Sequence, residues 1–306
     1  MISSTHLKRI AGLVGLLLVW GSITTQASAC EAFAQQAYAA YQRQDYPTLS
    51  ALIDHDQALA CPEQRFQLQR WAAALLWNQA LALHQAGASI PEQEAALRRI
   101  LDYAPLWQAH AALGDLASDR NEHSQATRHY QQALDAIGNP TLTPNEPVGI
   151  TERLFRKAQA SRMLATDYVP TTRSRSGEPT GLASTAIRSF GVREVAIPIQ
   201  FEFNSVEFVA KGREAAEDLL DYLNRQGATA ITLVGHTDPV GSVTYNEHLS
   251  LRRAQAVAEY LRAHGFSGTI HIEGRGPHEP FSVDDLGRYT LEQQHQLHRR
   301  VELRRE

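Results

Sequence analysis

Three prolines and two glycines fall within residues 138–150, and they divide a chain that has two kinds of periodicity. Proline removes a backbone donor and glycine loosens φ, so no regular helix runs through such a stretch. Before it, from Glu31 to Ile137, Ala, Leu and Gln recur at helical spacing, with breaks near Asp45-Tyr46-Pro47, Ala60-Cys61-Pro62 and Ala88-Ser89-Ile90-Pro91. Breaks roughly every 15 to 20 residues suit paired helices better than one long coil. After it, strand-like runs alternate with amphipathic helices. The expected fold class is α+β: helical hairpins over 30–137, a connector with one helix over 138–194, and an α/β sandwich over 195–306.

The N-terminus sets the compartment. Lys8 and Arg9 precede an apolar run from Ile10 to Ile23 and then Ala27-Ser28-Ala29, the layout of a secretory signal over residues 1–29. The run is about 14 residues, whereas a membrane-spanning helix takes roughly 20. Export is therefore expected in preference to a retained anchor. Removing 1–29 takes the formal net charge from -4 to -6, against nucleic acid as a partner.

Two fates compete for Cys30, the first residue after the signal. It can carry lipid, although Ala27 stands where bacterial lipoprotein signals usually hold Leu. It can also pair with Cys61, the only other cysteine, if 31–60 form a hairpin that brings the two together. Exported chains oxidise such pairs.

Within the helical half, Leu113, Gly114 and Ala117 fall on one helix, Asn121 in a turn, and Ala126, Tyr130 and Ala133 on the next. Small residues at a crossing let two helices approach closely. The spacing resembles the 34-residue tetratricopeptide pattern, without the usual aromatic at Ala117. Two readings stand: residues 31–137 grip an envelope partner protein, or they merely position the C-terminal domain. Trp71, Trp77 and Trp107 are expected in the core. In the connector, Thr151 opens a helix to about 166 with Leu154, Phe155, Ala158 and Met163 on its buried side. A polar stretch with Arg173, Arg175 and Arg188 comes next.

In the last third, strands are expected at 195–203, 230–235, 269–274 and 300–304, and helices at 210–224, 246–264 and 291–297. The loop Gly235–Gly241 then displays Asp238 at the sheet rim. Asn246 and Arg253 are seven residues apart, two helical turns, and so share a face. A carboxylate can receive an ammonium and a guanidinium can fork onto a carboxylate, with Asn246 bridging. The fitting ligand is a zwitterionic amino acid head group; the alternative is an internal Asp238–Arg253 salt bridge.

Gly235-His-Thr-Asp238, Gly241, Asn246, Leu249-Ser250, Arg253-Ala254, Val257 and Tyr260-Leu261 resemble the hallmark of the OmpA-like peptidoglycan-binding domain. Phe201–Ser205, Gly274-Arg-Gly276, Pro280 and Arg299–Glu302 extend the resemblance over roughly 195–304. It implies a mixed sheet covered by helices and noncovalent binding of peptidoglycan stems. Asp238 and Arg253 would hold the amino and carboxylate groups of meso-diaminopimelate, with Thr237 and Asn246 close by. Asn204, where the family often has aspartate, and Arg299 and Arg300 are supporting candidates; His298 stands where the family often has asparagine. The implied location is the periplasm, in association with the outer membrane of a Gram-negative bacterium.

Catalysis is not expected. His236, Asp238 and His248 are the nearest thing to a metal set, but there is no HExxH, and both cysteines are remote. No G-x-S-x-G elbow or phosphate loop occurs, and Glu247 has no evident proton-transfer partner. No cofactor or metal is anticipated.

Overall fold

Packing divides the chain between Ala104 and Pro105 into two units. The structure, a computed structural model, describes residues 27–145, 149–170, 194–197, 199–202, 204–283 and 285–304. The apolar run of the signal segment and the three connector arginines lie outside the described residues. Among the described residues no helix is long and apolar enough to cross a membrane.

The first unit is helical: α1 at 27–42, α2 at Tyr46–Ile53, α3 at Asp56–Ala60, α4 at Pro62–Gln85 and α5 at Ile90–Leu101. The breaks obey local chemistry. Asp45 caps α2 by accepting from Thr48 N at 3.1 Å, and α2, α4 and α5 each carry proline in the first turn, where no intrahelical donor is lost. The long helix α4 packs on α2, α3 and α5. Cys30 and Cys61 form a disulfide, with Cα atoms 5.7 Å apart. A sulfur held in that bond cannot also carry a lipid thioether.

The second unit begins with α6 at Trp107–Asp119, α7 at His123–Ile137 and α8 at Ile150–Leu164. The small residues act as their spacing implies: a Cβ on Gly114 would stand 2.6 Å from the Tyr130 ring, so glycine is what lets α6 and α7 close. Leu134 and Ile137 on α7 bury against Leu154, Phe155 and Ala158 on α8. This packing runs straight across the Pro/Gly-rich connector. The boundary read from composition, at 137/138, therefore differs from the division by packing, because α8 joins α6 and α7 to the sheet-bearing part of the same unit.

The sheet comprises β1 at Glu194–Ile197, β2 at Ala230–Gly235, β3 at Thr269–Gly274 and β4 at Val301–Arg304, in the order β1-β4-β2-β3. β2 and β3 are parallel, and β4 is antiparallel to both β1 and β2. Helices α9 at Ala210–Arg225, α10 at Val243–Ala263 and the shorter α11 at Leu291–His298 complete the fold. Ala215, Leu219 and Leu223 of α9 and Ala254, Val257 and Leu261 of α10 share one core with Ile231, Leu233, Val301 and Leu303 of the sheet. The α10 helix starts three residues earlier than its apolar period suggests, because Ser242 caps it by accepting from Tyr245 N.

Trp71, Trp77 and Trp107 are half-buried and not fully enclosed, with Trp107 packed against the core shared by α6, α7 and α8. Trp71 stacks on Tyr41 at a centroid separation of 5.3 Å, beside the exposed Tyr38, and Trp107 lines a groove. Ala and Leu, which are smaller, fill the helical interior instead.

Candidate functional site

Glycine brings α10 onto the ends of the parallel strands. A Cβ on Gly235 would lie 2.0 Å from Ser250 O, and one on Gly274 would lie 2.7 Å from Leu251 N. Ser250 Oγ locks the contact by donating to Glu247 O at 2.8 Å and accepting from Gly276 N at 3.0 Å. The loop after β2 is thereby pressed against the N-terminal half of α10, and the strand tips carry the charged groups.

Asn246 is 3% exposed and shapes that loop. Its Nδ2 donates to Asp238 O at 3.3 Å and to Val240 O at 3.0 Å, so it is a backbone strut; the expected bridge to a ligand is not what its amide nitrogen does. Asp238 accepts from Val240 N at 3.0 Å through Oδ1, while Oδ2 receives Arg299 Nη1 at 3.0 Å. Arg299 also holds Glu292 at 2.7 Å. Its own pKa is raised: burial acts against the charge, but the bonds to Glu292 and Asp238 outweigh burial. Asp238 is thus paired with Arg299 and not with Arg253.

Arg253, 6% exposed on the inner face of α10, lies 5.0 Å from the Phe201 ring centroid and donates through Nε to Ser205 O at 3.3 Å. Burial draws its pKa down to about 10, Arg299 adds to the fall, and Asp238 opposes it. Two guanidinium groups therefore face one small recess of about 280 Å³, walled by Gln200, Phe201, Arg253, Gln296 and Arg299. That size sits near the lower end for ligand sites, about 300–1,000 Å³. Guanidinium groups only donate, and two of them beside a carboxylate suit a ligand carrying both charges. Thr237 is 4% exposed and its Oγ1 is buried with no hydrogen-bond partner, one residue before Asp238.

The remaining candidates divide. Asn204, with φ +52°, accepts from Tyr245 Oη and stands near the start of α10. Arg300 is turned inward: 4% exposed, it donates to Glu302 Oε1 at 2.7 Å and Glu279 O at 3.1 Å, and stacks over Phe281. Alternation at the edge of β4 explains the split, since adjacent residues point to opposite sides. Arg300 is engaged within the domain and does not line the recess that Arg299 faces. His298 Nδ1 accepts from Phe281 N at 3.0 Å. His236 is fully buried, its Nε2 3.3 Å from Glu302 Oε2 and off hydrogen-bond alignment. Among the described residues no group of three or more His, Cys, Asp or Glu is placed to hold a metal ion.

Gln200 and Gln296 went unmarked in the sequence, because uncharged residues carry little signal without the fold, and Phe201 was marked only as part of the family resemblance. The Arg299-Arg300 doublet before a strand did carry one: only one of the two can face the recess.

Fold and site together define an α/β domain that presents a charged recess at its strand ends. Residues 200–288 match the OmpA family, so the second unit carries an OmpA family domain. Outer membrane protein A of Shimwellia blattae is 34% identical over 85 residues, covering 27% of this chain and 35% of the relative. Outer membrane porin F of Pseudomonas aeruginosa is 32% identical over 91 residues, covering 29% and 26%. Against these relatives the chain spans about a quarter to a third of their length. The solved peptidoglycan-associated lipoprotein from Burkholderia pseudomallei is similar at 22% identity and a TM-score of 0.30, covering 38% of this chain and 91% of that one.

Proposed function

We propose that the second unit binds peptidoglycan peptide stems through the diaminopimelate head group and so anchors an envelope protein to the wall. OmpA-like domains of this kind bind peptidoglycan and anchor envelope proteins, and the family is non-catalytic. The observation that carries the finer reading is the pair Arg253 and Arg299 at one recess, with Asp238 held against Arg299. A ligand carboxylate enters between the guanidinium groups, and the ligand ammonium shares the Asp238 carboxylate. Such a ligand is reached in the periplasm, after export.

The test is sedimentation of purified full-length protein with isolated sacculi. Asp238→Ala and Arg253→Ala are each expected to weaken binding at least tenfold, as loss of one charge-assisted bond of roughly 1.5–3 kcal/mol implies. Parent-like sedimentation of both variants overturns the assignment.

A second reading, a scaffold whose helices hold an envelope partner protein, is favoured by the half-buried Trp71 with Tyr41 and the exposed Tyr38. It is tested by crosslinking in intact cells: the same defined protein should be captured by the parent and lost with Trp71→Ala. Its retention in that variant counts against this surface.

A further inference from the structure

Three side chains of the sheet-bearing domain end on backbone carbonyls at the C-terminal end of α8. Gln200 Nε2 donates to Met163 O at 3.1 Å, and Gln296 Nε2 donates to the same oxygen at 2.9 Å. Lys211 Nζ reaches Met163 O at 3.3 Å and also bonds Ala165 O. The last turn of a helix leaves its carbonyls without intrahelical donors, so this convergence satisfies groups that would otherwise be orphaned. Met163 itself is 2% exposed. Around it, Ala160 and Leu164 pack with Phe281 and Leu297, and Arg162 donates to Asp218 at 3.0 Å, to Tyr168 Oη at 2.7 Å and to Val169 O at 2.9 Å. The end of α8 is therefore fixed.

Gln200 and Gln296 are also two walls of the Arg253–Arg299 recess. A carboxamide has a donating side and an accepting side. Met163 O only accepts, so each amide nitrogen must face it, and each Oε1 is left as an acceptor at the recess. The arginines there supply donors alone. Guanidinium groups and amide oxygens together discriminate between ligands that a pair of arginines would treat alike.

We propose that Gln200 and Gln296 are specificity residues that accept N–H groups of the bound head group, oriented by the Met163 carbonyl of α8. The helix lies outside the family-matched segment 200–288, yet it forms part of the site. This rests on the recess being the head-group site proposed above. It means that an amine-bearing dicarboxylate is selected over a bare dicarboxylate of the same length.

The experiment displaces full-length protein from isolated sacculi with meso-diaminopimelate or with pimelate, comparing the concentrations needed for half displacement. The parent is expected to need at least tenfold less diaminopimelate than pimelate. Gln200→Met and Gln296→Met are each expected to shrink that ratio several-fold, by weakening diaminopimelate and leaving pimelate unchanged. Arg162→Lys, which loosens the end of α8 without touching the recess, is expected to shrink it too. Unchanged ratios in both Met variants overturn the proposal, and an unchanged ratio in Arg162→Lys removes α8 from it. If Asp238→Ala and Arg253→Ala still sediment like the parent, the head-group reading itself has failed, whatever the glutamine variants do. Should a Met variant lose its cooperative melt, the Asn variant at that position carries the comparison, because it keeps the amide but withdraws it from Met163.

Discussion

Arg299 Nη1 lies 3.0 Å from Asp238 Oδ2, so the carboxylate proposed to receive a ligand ammonium already has a cationic partner. Arg299 is half-exposed, and exposed pairs contribute roughly 0–1 kcal/mol to stability. Arg299→Ala is therefore expected to leave the melting temperature nearly unchanged while weakening sacculus binding about tenfold, the loss of one charged contact to the ligand. A melting curve run beside the sedimentation assay separates these effects.

Gly235→Ala should be far more damaging than its size suggests. The added methyl would meet backbone, Ser250 O at 2.0 Å, and no rotamer can relieve that contact. Overpacking usually costs about 1–3 kcal/mol, and a clash with backbone belongs at the upper end or beyond. Urea denaturation should show a lowered midpoint, with binding lost because the loop carrying Asp238 moves off α10.

The carboxyl of Glu302 is buried, which pushes its pKa up, yet contact with His236 and the charge of Arg300 hold it at about 2, against an ordinary 4.5. A carboxylate depressed in the folded state stabilises fully above its unfolded pKa and loses that contribution as pH falls through the folded one. Stability on the order of 2–3 kcal/mol should disappear between about pH 4.5 and 2. In Glu302→Gln the melting temperature should start lower at neutral pH and fall less steeply over that window.

His110 on α6 has its pKa lowered to about 4 from 6.5, by burial first and then by His129. The unfolded chain takes up a proton below about pH 6.5 that the folded chain refuses until about pH 4, so stability falls across that interval. His110→Asn is expected to flatten the pH dependence of denaturation there. An undiminished slope would mean that His110 is not the group responsible.

Cys30 and Cys61 are 31 residues apart in sequence. By the chain-entropy account, closing a loop of that size stabilises by about 3–4 kcal/mol. Cys61→Ser should lower the melting temperature of the first unit by a corresponding amount. Intact mass with and without reductant, followed by alkylation, should show two thiols appearing only after reduction.

Most elements of the last third were legible because each has one dominant period: Ala215, Leu219 and Leu223 mark one helix face, and Ile231 and Leu233 mark one strand face. The strand expected over 195–203, by contrast, is observed among the described residues only as β1 at Glu194–Ile197. The motif positions were legible too, since Gly235, Gly274 and Ser250 serve one strand–helix contact that tolerates few alternatives. Charge type singled out Asp238 and Arg253 as candidates, but the pairing of Asp238 did not emerge from it, because spacing along a chain says nothing about Arg299, 61 residues beyond Asp238. The division at 104/105 was hidden for a related reason. Proline and glycine report where a helix stops, whereas the burial of Leu134 against Phe155 decides which helices belong together.

The sheet order β1-β4-β2-β3 also fixes a sequence of events. The strand synthesised last of the four is the one that joins β1 to β2, so β2 and β3 can pair earlier but β1 has no neighbour among the described strands until residues 301–304 have emerged. Long-range pairing of this kind is slow to form, and the half-made sheet exposes unpaired edges meanwhile. Under the export proposed above, late closure is an advantage: the sheet stays incomplete, and the domain threadable through a translocation channel, until its final strand is delivered on the far side.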